Sequence, residues 1–65
     1  MNVNYADAIL KLRYKLNLSQ QAMAKYLGVS FASISRWERG QYEPTKLVKL
    51  KIDELLNKYS IEMDV

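Results

Sequence analysis

The chain contains two glycines and one proline, and all three lie between positions 28 and 44: Gly28, Gly40 and Pro44. So little turn chemistry leaves almost no room for a β-rich fold, which needs many short strands joined by Gly- and Pro-rich turns. The remaining punctuation is of a different kind: short polar residues standing just before apolar stripes, the mark of helix starts. Asn4 can cap a first helix, with Asp7 three residues on as a partial capping box. Ile9, Leu12, Arg13 and Leu16 then recur at helical spacing, and Asn17 breaks the stripe. Ser19 is the next cap, followed by the inward residues Met23, Ala24 and Leu27. Gly28 stands where a helix commonly ends in the left-handed conformation. Ser30 caps a third helix with Ile34 and Trp37 facing inward, and Gly40 closes it. Residues 41–43 form a loop, Pro44 prevents continuation and Thr45 caps a fourth helix. The apolar face there is Leu47, Val48, Ile52, Leu55 and Leu56. The expected fold class is all-α, a compact bundle of four to five helices forming one domain over residues 1–65.

A bundle of 65 residues is small enough to need help. Such a core supplies only about 3–5 kcal/mol, and small domains often add a disulfide or a structural metal. With no Cys and no His, disulfides are excluded and the usual zinc ligands are missing, so the sequence predicts no metal and no cofactor. Tight helix packing or oligomerisation remains. Imidazole acid–base chemistry and thiol nucleophiles are absent as well. Asp53 and Glu54 are neighbours in sequence and so do not share a helix face. No phosphate loop or nucleophile–base pair appears, and an enzyme is not expected. No apolar run approaches the ~18 residues of a membrane span, and residues 1–4 lack a signal-peptide shape. A soluble, cytoplasmic protein without a membrane partner or a separate sensor domain is expected.

The net charge of +3 hides an asymmetry. Residues 1–58 carry ten basic and five acidic side chains, whereas residues 59–65 carry only Glu62 and Asp64. A basic body points to an anionic partner, though many soluble proteins share this excess. The last six residues alternate polar and apolar, with Ile61, Met63 and Val65 in phase. A short strand, a clasp for a dimer over residues 59–65 and a frayed end all fit that pattern.

The second and third helices are short and joined by Gly28, Val29 and Ser30, the spacing of a helix-turn-helix over residues 19–40. The residues carrying this pattern are Leu18-Ser19-Gln20-Gln21, Met23-Ala24, Leu27-Gly28-Val29-Ser30, Ile34 through Gly40, and Pro44. Together they resemble the phage-repressor and Cro-type helix-turn-helix family, also called the xenobiotic-response-element type. The resemblance covers residues 9–56. It implies a helical bundle that binds double-stranded DNA in a sequence-specific way, mostly as a homodimer on paired half-sites. One departure is visible: Ala22 stands where the family often has Glu, so a capping box on Ser19 is missing.

At about 100° per residue, Ser30, Ile34, Trp37 and Glu38 fall on one side of the third helix. Ala32, Arg36 and Arg39 fall on the other, flanked by Ser33 and Ser35. The first side packs; the second, small and basic, suits a major groove. Arg36 is the leading base reader, because a guanidinium can donate two bonds to guanine; a phosphate contact or a solvated Arg is the plainer alternative. Ala32 can meet a thymine methyl. Ser33 and Ser35 suit phosphate or base contacts. Phe31 lies at the flank of the wheel, compatible with packing on the second helix. The resemblance instead implies that its position reaches bases. It also implies phosphate contacts for Gln20 and for the loop region holding Arg39, Tyr42 and Lys46, with Ser19 and Ser30 helping through backbone N–H groups. Arg13 and Glu38 both sit on inward faces, and opposite charges there should pair rather than bear the cost of burial alone; the family implies the same pair. The expected core is Ile9, Leu12, Leu16, Met23, Ala24, Leu27, Val29, Ile34, Trp37, Leu47, Ile52 and Leu55. The functional expectation is a repressor of phage, plasmid or mobile-element type. An antitoxin-like module, binding a toxin or an anti-repressor as well as DNA, is the alternative.

Overall fold

The computed structural model describes residues 4–62, which hold four helices: α1 (Tyr5–Lys15), α2 (Gln20–Leu27), α3 (Phe31–Glu38) and α4 (Lys46–Lys58). Each begins on the polar residue expected to cap it. Asn4, Ser19, Ser30 and Thr45 are extended, and each side chain accepts the backbone N–H three residues on. That satisfies one otherwise orphaned donor per helix, worth about 1 kcal/mol at each site.

The four helices also end alike. Asn17, Gly28, Gly40 and Ser60 are all left-handed, with φ of 56°, 72°, 74° and 54°. The following residue folds back onto the last turn: Leu18 N–H to Arg13 C=O at 2.9 Å, Val29 to Ala24 at 2.9 Å, Gln41 to Arg36 at 3.1 Å and Ile61 to Leu56 at 2.9 Å. These are Schellman closures, which commonly bring an apolar residue against the helix they end. Leu18, Val29 and Ile61 do so here, packing on the core. A Cβ added at Gly28 or Gly40 meets no atom within 4 Å, so the positive φ alone favours glycine there.

The core is Ala8, Ile9 and Leu12 of α1, Met23, Ala24 and Leu27 of α2, Ile34 and Trp37 of α3, and Ile52 and Leu56 of α4. Helix α1 packs on α3 and α4, and α2 packs on α3. Val29 and Leu55 are half-buried against this cluster. Two expected core residues are placed otherwise. Leu16, the C-cap of α1, is only half-buried and stands outside the cluster. Leu47 is 78% exposed. Five residues at about 100° each set it about 140° around α4 from the fully buried Ile52, so one helix cannot bury both. Ala8, which the apolar stripe omitted, is fully buried, since small residues let α1 approach its neighbours.

At the C-terminal end, Ile61 packs on the core and Lys11 Nζ donates to the Glu62 carbonyl at 3.3 Å. Residues 61–62 are irregular, not strand, and the rest of the expected clasp, Met63 to Val65, lies outside the described residues. No helix among the described residues is long and apolar enough to cross a membrane.

Candidate nucleic-acid interface

Gly28 turns the chain sharply after α2, and Val29 fills the corner beneath it. These two residues set the start of α3 beside the start of α2. Burial along α3 follows the helical wheel: Ile34 and Trp37 are buried at 0% and 8% exposure. Ala32, Arg36 and Arg39 are exposed, while Ser33 and Ser35 are half-buried at the flanks. Phe31 is 49% exposed, so it does not disappear under α2. Instead it lines an open groove of about 580 Å³ with Ser19, Gln21, Ala22, Ala24, Lys25 and Val29.

This groove lies at the N-termini of two helices. Neither α2 nor α3 carries an acidic residue in its first turn. Ala22 thus has a consequence beyond the lost capping box: the first turn of α2 carries no carboxylate of its own to offset the partial positive charge there. The unbonded N–H groups and the dipole at both ends favour an anion. Lys25 adds a full positive charge, and no acidic side chain lines the groove.

The expected contact residues divide into those free to act and those already engaged. Ser30 Oγ accepts from Ser33 N–H at 3.1 Å and lies 2.9 Å from Ser33 Oγ, so both hydroxyls serve the cap first. Arg39 Nε donates to the Ser35 carbonyl at 3.3 Å, drawing that side chain back along the C-terminal end of α3. Tyr42 is 64% exposed, and the Arg36 guanidinium lies over its ring, 5.8 Å from the centroid. Lys46 is exposed at the start of α4. Lys49 pairs with Glu43 at 3.1 Å.

Arg13 and Glu38 are brought together as expected. Arg13 Nε donates to Glu38 Oε2 at 2.8 Å and Nη2 to Oε1 at 3.2 Å, a two-pronged pair with side-chain exposures of only 16% and 6%. Arg13 Nη1 also donates to the Leu18 carbonyl at 3.2 Å, holding the turn between α1 and α2. The hydrogen bond to Glu38 chiefly raises the Arg13 pKa above its ordinary value, against an opposing effect of burial. Gln20 completes the group: its Nε2 donates to Glu38 Oε1 at 2.9 Å.

Sequence reasoning missed three of these relationships. The Gln20–Glu38 bond and the Arg36–Tyr42 stack join separate elements, and no local spacing announces them. Gln21 and Lys25 in the groove were legible in principle, since they stand four apart on the exposed side of α2.

Two short helices set across a glycine turn, with an exposed basic face on the second, define a helix-turn-helix domain. The chain belongs to the helix-turn-helix family, whose family model matches residues 9–63. It is similar to the HTH-type transcriptional regulator DicA of Escherichia coli (strain K12), at 41% identity over 44 residues. The match takes in 68% of this chain and 33% of that protein, so the chain spans about a third of its relative's length. No solved structure shows significant similarity to it.

Proposed function

We propose that this chain binds double-stranded DNA in a sequence-specific manner and regulates transcription, with α3 in the major groove. The observation that carries this reading is the division of α3. Ile34 and Trp37 are consumed by the core, while Phe31, Ala32 and Arg36 face outward beside two helix N-termini free of acidic residues. Base contacts fall to Arg36, Ala32, Phe31 and Ser35. Phosphate contacts fall to Gln20, Lys46, Tyr42 and Arg39, and to the backbone N–H groups after Ser19 and Ser30; Ser33 supports the cap. Such phosphate contacts position the domain and the base contacts specify sequence. Repression would be steric, a homodimer on paired half-sites excluding polymerase, as in phage or other mobile-element regulators. The likeness to a transcriptional regulator supports the regulatory part of this reading.

Selection of bound duplexes from random-sequence DNA tests the proposal. The expected result is a defined consensus whose affinity falls steeply with salt, as phosphate contacts release counterions. Arg36→Ala should relax the preference at one position by about 1–3 kcal/mol. Recovery of no consensus, or undiminished binding by an Arg36→Ala, Gln20→Ala double variant, would overturn it.

A further inference from the structure

Three aromatic rings converge where the start of α1 meets the end of α3. Tyr5, Trp37 and Tyr42 line one cavity of about 240 Å³, together with Gly40 and Glu43. Two of the rings are fixed. Tyr5 is held by its hydroxyl, which donates to both oxygens of Asp53 at 3.1 and 3.2 Å. Trp37 is anchored in the core at 8% exposure, whereas Tyr42 is 64% exposed and leaves its wall open to solvent.

Two of the rings already carry one of the chain's own cations. Lys49 Nζ lies 5.2 Å from the centroid of the Tyr5 ring and pairs with Glu43 at 3.1 Å. The Arg36 guanidinium lies 5.8 Å from the centroid of the Tyr42 ring. A positive group on an aromatic face is drawn to the negative side of the ring quadrupole, and several faces around one space form a cage for such a group.

We infer that this cavity is a binding site for a quaternary ammonium group, with Lys49 acting as a tethered competitor for the same walls. The inference does not rest on the DNA-binding reading.

Charge favours a cation. Glu43 is the one charged side chain lining the cavity among the described residues. The start of α1 and the end of α3 bring partial charges of opposite sign, which offset each other. The rings and the carboxylate therefore set the preference.

Hydration decides which cation. A primary ammonium brings three N–H donors that need acceptors, and Lys49 already holds the carboxylate here. A quaternary ammonium has no N–H to satisfy, and its methyl groups present the charge to several rings at once. The cavity is smaller than the roughly 300 Å³ at which pockets for drug-sized ligands begin, so it suits a single headgroup.

The test titrates the intact chain with choline and, separately, with dimethylbutanol, its neutral isostere with carbon in place of nitrogen. Backbone amide shifts and the fluorescence of Trp37, the one tryptophan of the chain, report binding. Choline should bind saturably with a Kd on the order of 1 mM and shift the amides of Tyr5, Gly40 and Glu43. The isostere should bind about tenfold more weakly or not at all. Tyr42→Ala should weaken choline binding about two- to fivefold, the worth of one exposed cation–π contact, and Tyr42→Phe should leave it unchanged. Lys49→Gln vacates Glu43 and the Tyr5 face and should tighten choline binding by a similar factor. Equal binding of choline and its isostere overturns the proposal, because the cavity would then be merely apolar. So does the absence of saturable shifts with choline in the tens of millimolar. A Tyr42→Ala variant that binds as well as the unaltered chain, or a Lys49→Gln variant that binds more weakly, overturns it too.

Discussion

The side-chain amide of Gln20 donates to Glu38 Oε1 across 2.9 Å, onto the same carboxylate that Arg13 grips with two nitrogens. One buried acid at the end of α3 thereby ties down the start of α2 and the end of α1. The carboxylate accepts three bonds, which is why a charge can sit at 6% side-chain exposure in so small a core. Replacing Arg13 by Met removes two of the three and strands the charge. The expected loss is about 3 kcal/mol, most of the stability of a domain this size. Thermal unfolding of Arg13→Met should show it, and Glu38→Met added to the same chain should recover much of it. An unchanged melting temperature in the single variant would contradict the pair's structural role.

The same bond aims Gln20. A primary amide nitrogen carries two hydrogens, and Glu38 takes one. The second remains for a phosphate, with the amide plane already fixed. Gln20→Ala should weaken binding to every duplex by about tenfold, the worth of one hydrogen bond to a charged group, and leave the preferred sequence intact. Binding measured on matched and scrambled duplexes distinguishes this from base reading. A loss confined to the matched duplex would count against a phosphate role.

Most of the fold was legible because its boundaries are chemical and local. Asn4, Ser19, Ser30 and Thr45 cap by side-chain geometry that sequence displays directly, and Gly28 and Gly40 end helices by a conformation that favours glycine. Ser60 ends α4 in that conformation without being glycine, so that boundary carried no such sign. The exposed Leu47 was misread for a different reason. Hydrophobicity marks what a residue would gain by burial, but only packing decides whether a neighbour is there to bury it. Leu47 satisfies the first condition and lacks the second. In the candidate interface, Arg13–Glu38 was legible because both charges fall on inward faces. Gln20–Glu38 and Arg36–Tyr42 were not, since each depends on how two elements meet.

The Arg36–Tyr42 stack leads to a separable prediction. A guanidinium resting on an aromatic face keeps its in-plane N–H donors free for a base edge, so the ring would hold Arg36 ready without consuming its donors. Tyr42→Ala should reduce discrimination at the Arg36-dependent base pair by about two- to fivefold, matching an exposed cation–π contact of about 0.5–1 kcal/mol. Tyr42→Phe keeps the ring and should retain that discrimination. If the hydroxyl instead serves a phosphate, Tyr42→Phe will lower affinity for all sequences alike, and the two variants tell these roles apart.

Alkaline stability provides a test that needs no DNA. Tyr5 at the start of α1 donates its hydroxyl to both oxygens of Asp53 in α4, at 3.1 and 3.2 Å. Burial raises the phenol pKa above its ordinary 10.0, and the hydrogen bond to Asp53 and the negative charges of Asp53 and Glu43 push it the same way. The folded state therefore holds this proton more tightly than the unfolded chain does. Stability from this source is complete below about pH 10, the unfolded value, and is lost as pH rises through the higher folded value. Tyr26 shifts in the same direction, chiefly through the neighbouring Tyr59 hydroxyl. Urea midpoints followed from about pH 8 to 11 should fall for the unaltered chain, with a shallower fall for Tyr5→Phe, which has no proton to lose there. Adding Tyr26→Phe should flatten the curve further. Curves of equal slope for the chain and for Tyr5→Phe would show that the Tyr5–Asp53 link does not tie α1 to α4 in solution.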